Sequence, residues 1–195
     1  MKLGGTRFFV VGMLASLVFG WWVFPKIIYT SEPQPVQFNH ALHTSDKVGL
    51  SCTDCHGFAE NGAFAGIPRL EQCASCHAEV IGTTKEEQRF VEEYVKQKHE
   101  VPWGVYARQP DNAYFSHIYH VKMAGIECAR CHGQHGTTTT LRPLQVNVIN
   151  GYSSDVSGSS ISWIRRKTPD GMKMSDCIDC HKDHARRSAC IECHK

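Results

Sequence analysis

Beyond residue 29 the chain has few hydrophobic runs long enough for a conventional core. A domain of this size therefore needs something other than buried side chains to hold it. Charge of one sign is also missing: 21 Lys and Arg against 19 Asp and Glu leave a net +2, which gives nucleic-acid binding no support. No cysteine stands outside a Cys-x-x-Cys-His motif, and bridges inside those motifs would leave the adjacent histidines unexplained. No Cys-x-x-Cys-Lys variant occurs, and no isolated set of acid, base and arginine surrounds one motif. Both absences count against a multihaem reductase of nitrite or sulfite, which needs an open iron position.

What the chain does have is five motifs that use all ten cysteines: Cys52-x-x-Cys55-His56, Cys73-x-x-Cys76-His77, Cys128-x-x-Cys131-His132, Cys177-x-x-Cys180-His181 and Cys190-x-x-Cys193-His194. In c-type haem attachment, two thiols add across the vinyl groups and the adjacent imidazole binds the iron. A zinc site pairs Cys-x-x-Cys elements and does not ask for a histidine after each. A redox dithiol occurs once on a thioredoxin-like junction, not five times. The reading is five covalent haem c groups, with His56, His77, His132, His181 and His194 as proximal ligands.

Seven of the twelve histidines remain as candidates for the distal iron position: His40, His43, His99, His117, His120, His135 and His184. Twelve equals two per iron for six irons, whereas five haems use ten. Either two histidines are idle, or a sixth haem is held without cysteines between two imidazoles. Met123, Met172 and Met174 lie near motifs, and His/Met ligation at one site would raise its potential. His99 follows a run of charges and has a structural alternative as a surface residue.

Lys2 and Arg7 precede an apolar run from Phe8 to Phe24 that ends at Pro25-Lys26. With its flanks the run is about long enough to span a bilayer, and the basic start places the N-terminus in the cytoplasm. A cleaved signal peptide is the alternative. No small-x-small cleavage site follows, and Trp21, Trp22 and Phe24 suit a membrane interface, so a retained anchor is expected. Gly12, Ser16 and Gly20 share one helix face that either admits a second membrane helix or reflects the glycine content of such helices.

Residues 1–30 are thus read as tip and anchor, 31–37 as a Pro-containing linker, and 38–195 as the exported haem domain. The expected fold is mainly irregular with short α-helices around the motifs. An internal repeat pairs Phe38-x-His40-x-x-His43 and Gly49-Leu50-Ser51-Cys52 with Phe115-x-His117-x-x-His120 and Gly125-Ile126-Glu127-Cys128, giving two related modules. Thr83-Thr84-Lys85-Glu86-Glu87 opens a capped helix carrying Phe90, Val91, Tyr94 and Val95 on one face, ending near Pro102. An excursion over 137–163 has alternating Leu144, Val146 and Val148 and an Asn150-Gly151 turn signal, and is either a docking loop or a solvated one.

Phe-x-His-x-x-His followed by Cys-x-x-Cys-His resembles the opening of class III (c3/c7) cytochromes. That resemblance implies that His40 and His117 ligate the haem of the motif that follows, while His43 and His120 reach a different haem. The whole chain is similar to the membrane-anchored multihaem subunits of two related respiratory complexes, the menaquinone reductase (Qrc) complex of sulfate reducers and alternative complex III. It shares their N-terminal helix, Pro-rich exit, two modules and Val101-Pro102-Trp103 segment, and resembles the first more. The resemblance implies an electron-transfer subunit in the bacterial inner membrane, single-pass, with its haem domain on the periplasmic side. It would act between a soluble c3-like cytochrome c and quinone-linked partner subunits; a tetrahaem-type quinol dehydrogenase is the alternative. Two propionates per haem make the holoprotein roughly 3 to 8 charges negative by redox state. Arg165, Arg166, Lys167, Lys182, Arg186 and Arg187 either pair with propionates or steer an acidic donor.

Overall fold

The computed structural model describes residues 3–64, 66–107, 111–149, 172 and 174–194. Helix α1 (Leu3–Val18) continues through a π-helical turn, Phe19–Val23, into α2 (Phe24–Ile27). The segment Gly5–Val23 is long and apolar enough to cross a membrane, and none of it is buried against the rest of the chain. An apolar helix with no protein to cover it needs another apolar medium.

The rest is mostly irregular, with short helices and one small sheet. Strand β1 (Tyr29–Glu32) runs antiparallel to β2 (Leu144–Asn147), pairing Tyr29 with Asn147 and Glu32 with Leu144. The alternation at Leu144, Val146 and Val148 is thus a strand whose partner is the exit of the apolar helix. The Asn150-Gly151 turn and the segment beyond it lie outside the described residues. Residues 31–37 are extended but not a loose tether. Gln34 and Val36 are buried, and the Gln34 side-chain amide exchanges two 2.9 Å hydrogen bonds with the Gly104 main chain. Gln37 N donates to Glu86 at 2.9 Å, and its side chain accepts from Leu141 N at 2.8 Å.

The buried apolar core among the described residues is one small cluster: Val36, Leu70, Phe90, Val91, Tyr94 and Val101, with Cys73, Val80, Val95 and Trp103 against it. Three of its six buried residues, Phe90, Val91 and Tyr94, come from one helical run. Thr84 caps α6 (Lys85–Phe90) by accepting from Glu87 N at 3.2 Å, and a π-helical turn, Val91–Val95, extends it. The run closes at Lys98, in left-handed φ at 52°, short of the Pro102 end read from the sequence. The reciprocal half of the expected capping box is absent, because the Glu87 carboxylate is engaged elsewhere.

Each motif starts on its own short helix: α4 (Cys52–Cys55), α5 (Leu70–Ala74, which ends before Cys76), α7 (Cys128–His132), α8 (Met174–Asp183) and α9 (Cys190–Cys193). The remaining helix, α3 (His40–His43), carries the first His-x-x-His. Helical spacing puts the two cysteines of a motif and the following histidine along one side.

Candidate functional site

The two repeat segments hold their rings alike, although the first is an α-helical turn (His40–His43) and the second leads into a π-helix (Ile118–Met123). Phe38 stacks on His43 (4.3 Å, 24°) and meets His40 edge-on (4.7 Å, 81°). Phe115 stacks on His120 (4.7 Å, 22°) and meets His117 edge-on (4.8 Å, 90°). His43 Nδ1 donates to Asn39 O and His120 Nδ1 to Ser116 O, each at 2.8 Å. The carbonyls of His43 and His120 accept from Leu50 N (3.1 Å) and Ile126 N (3.0 Å). Closing that turn needs positive φ at Gly49 (74°) and Gly125 (65°), where a side chain would be strained. The phenylalanine of each segment thus braces two imidazoles, and the main chain holds the second of them, His43 and His120.

The histidines face one another in pairs. Ring centroids lie 6.1 Å apart for His43 and His77, 6.2 Å for His117 and His132, and 6.1 Å for His120 and His181. A fourth pair, His40 and His135, is also 6.1 Å apart. Two imidazoles bound through Nε2 to opposite faces of one iron, with metal–nitrogen bonds of about 2 Å, place their centroids about 6 Å apart. The second ring nitrogens fit the same use: His56 donates to Gly66 O (2.8 Å), His181 to Arg187 O (3.0 Å) and His77 to the Glu87 carboxylate (3.0 Å). Holding Nδ1–H this way leaves Nε2 as the lone-pair nitrogen. Burial foremost, then neighbouring His135, His56 and His43, pushes His40 down to about 4. Burial and nearby imidazoles also lower His117 and His132. These rings are neutral donors at neutral pH.

His40 faces His135 at 6.1 Å, and His56, of the motif to which the class III resemblance assigns it, is also a near neighbour. The contact with His135 has a tertiary cause: Ala41 N donates to Thr138 O (2.9 Å), and Thr44 Oγ1 donates to Gly136 O (2.8 Å). These bonds bind the turn His135–Thr137 against α3. Among the described residues no imidazole faces His56 or His194, and His194 Nδ1 is buried without a partner. His99 lies beside Tyr94 at 6.3 Å, and His184 meets no ring. Of the methionines, Met123 and Met174 are exposed, while Met172 N donates to Cys131 O at 3.1 Å.

None of the ten cysteines is joined to another in a disulfide, and each is exposed or half-buried. No group of three or more Cys, His, Asp or Glu among the described residues is arranged to hold a bare metal ion, so the donor set fits haem attachment and not zinc. The attachment sites neighbour one another in series. Burial raises the Cys73 and Cys128 thiols, with Cys55 of the first motif adding to the one and Cys52 to the other. Cys131 feels Cys180, and Cys177 feels both Cys131 and Cys193. The first motif thus lies near the second and the third, and the fourth near the third and the fifth. Tyr114 N donates to Cys193 O at 2.6 Å, joining the fifth to the approach of the second Phe-x-His-x-x-His.

Two contributors escaped sequence reasoning. Glu87 reads as a capping residue yet bonds His77. Phe64, which no motif marks, stacks on His117 at 4.0 Å and 20°. Only the recurrence of phenylalanine at the start of both repeats signalled that aromatic rings support these histidines.

Residues 25–105 match the family model for class III cytochromes c. The chain is 40% identical over 184 residues to the multihaem cytochrome c subunit of the menaquinone reductase of Nitratidesulfovibrio vulgaris (strain Hildenborough), covering 91% of this chain and 81% of that protein. With its five attachment motifs and facing imidazoles, this chain belongs to the family of menaquinone reductase multihaem cytochrome c subunits.

Proposed function

We propose that the chain is the electron-transfer subunit of a respiratory membrane complex, acting between a periplasmic c3-like cytochrome c and partner subunits linked to the menaquinone pool. The observation that carries this reading is the set of four histidine pairs at 6.1–6.2 Å. Haem c, when bound, supplies a one-electron iron couple and the flat apolar area that the small core lacks. Cys73 and Cys76 with His77 and His43 hold one group. Cys128 and Cys131 with His132 and His117 hold a second, and Cys177 and Cys180 with His181 and His120 a third. Cys52, Cys55 and His56, and Cys190, Cys193 and His194, attach two more. A chain that sets its own imidazoles opposite three of the five motif histidines suits electron transfer better than substrate reduction.

His40 and His135 belong to no cysteine motif as a pair, and their spacing supports a sixth, non-covalent haem. Thioether-bound groups survive denaturation, whereas one held only by two imidazoles is extracted by acidified organic solvent. Intact mass of the denatured chain is expected to show five haems, and pyridine haemochrome of the native chain six. H135A should lower only the second number, to five. Five in both assays for the wild type removes the sixth site.

The apolar helix within residues 1–30 serves as an inner-membrane anchor, with residues 31–37 leading to a periplasmic domain over 38–195 that contains the two related modules and the excursion at 137–163. Its length and lack of protein cover support this reading. N-terminal sequencing of the purified native subunit that began near Ser31 would overturn it.

A further inference from the structure

The histidines that face one another differ in what their second ring nitrogen meets. His43, His120 and His181 donate to neutral main-chain carbonyls. His77 donates to a carboxylate, with Nδ1 3.0 Å from Glu87 Oε1. That carboxylate is not a loose surface group. Its side chain is 12% exposed, and Ile81 N and Gly82 N each donate to it at 2.9 Å. Thr84 fixes its backbone at the start of α6. The His77 ring is held on its other flank by Phe90, edge-on at 6.1 Å.

A carboxylate draws the Nδ1 proton more strongly than a carbonyl does and pushes electron density to Nε2. A stronger nitrogen donor stabilises ferric over ferrous iron and so lowers the reduction potential. From this arrangement we infer that Glu87 is a positioning residue acting through His77, which makes the iron between His43 and His77 the lowest in potential of the histidine-paired sites. This rests on the reading that His43 and His77 share one iron.

The test is a spectroelectrochemical titration of the full-length haem-loaded protein in detergent, with EPR at each plateau. In E87Q, with haem content retained, the lowest couple should rise by about 59 mV, a tenfold change in ferric over ferrous preference for a one-electron couple. The low-spin signal of that haem should move to a larger maximal g value. E87D, which keeps the charge, should stay near the wild-type potential. A superimposable E87Q titration, or an E87D shift as large as that of E87Q, overturns the role of Glu87. Should E87Q lose the haem, the wild type decides. Its lowest couple must carry the least spread low-spin signal, and assignment of that signal to a higher couple overturns the inference. The pairing itself is read separately: H43A should turn one haem high-spin, and if it does not, the shared iron fails whatever Glu87 does.

Discussion

Phe115 offers a direct measure of how the fold holds its imidazoles. The ring contacts His120 face-on at 4.7 Å and His117 edge-on at 4.8 Å, and these two histidines face different motif histidines, His181 and His132. Replacing Phe115 by Ala removes both contacts. An aromatic pair contributes about 0.5–1.5 kcal/mol beyond area burial. The burial term itself is reduced here because Phe115 is 41% exposed. Each imidazole still has a second restraint, Nδ1 to Ser116 O for His120 and the Phe64 stack for His117, so the rings should loosen without being released. A loss of about 0.5–1.5 kcal/mol raises the population of the displaced ring about two- to twelvefold, at RT of about 0.6 kcal/mol. Carbon monoxide binding to the reduced protein reads that population. F115A should speed the binding by this factor at two irons together, and F115Y should restore the slow rate. A rate increase at one iron, or none, would refute the idea that one ring braces two ligands.

Other consequences are open to measurement. G125A should cost about 1 kcal/mol or more of thermal stability, since the alanine must hold a positive φ, and G49A should do the same if the repeat is structural at both sites. Gln34→Ala removes both bonds to Gly104 and should cost about 1–3 kcal/mol by leaving those groups unpaired, readable as a lower denaturation midpoint with haem content unchanged. V91A opens the most buried side chain of the small core and should cost about 2 kcal/mol or more. Leucine at Gly12 and Gly20 should leave the haem count of the isolated subunit unaltered, because a Cβ added at either position meets nothing within 4 Å beyond its own helix backbone. If that face meets a partner helix, co-purification of other subunits should fall.

Local chemistry was legible in the residues. Cys-x-x-Cys-His specifies its own helix-sided geometry, and the repeat announced a unit whose phenylalanine, histidines and glycine all act within about fifteen residues of one another. Pairing was not legible, because the partner of an imidazole is chosen by distant main-chain contacts. His40 and His117 occupy equivalent repeat positions and share the same aromatic brace. They still part company: Thr138 and Gly136 draw His135 to His40, while His117 meets His132 of its own module. The strand at Leu144–Asn147 showed its alternation, but its partner at Tyr29–Glu32 stands next to two prolines that spoke for a linker. Glu87 was legible only as a cap, since nothing in a ten-residue separation from His77 marks a hydrogen bond.

The physical reason for this division lies in how little apolar packing there is. Six buried apolar residues in one cluster cannot position five separate motif helices. Placement falls instead to polar contacts between main chain and side chain, such as Gln72 to the Asp54 carbonyl between the first two motifs and Tyr114 to Cys193 at the last. Such bonds are short in range and contribute about 1 kcal/mol each. They therefore specify orientation better than stability. It follows that the chain without its haems should be marginal, and that its melting should be governed by haem loading, because the iron–imidazole bonds and the packing against the porphyrin would form only in the folded state even though the thioethers persist. Chemical removal of the thioether-bound groups should collapse the α-helical signal across all five motif helices together. Retention of a cooperative transition in the stripped chain would show that the polar scaffold stands unaided, contrary to this account.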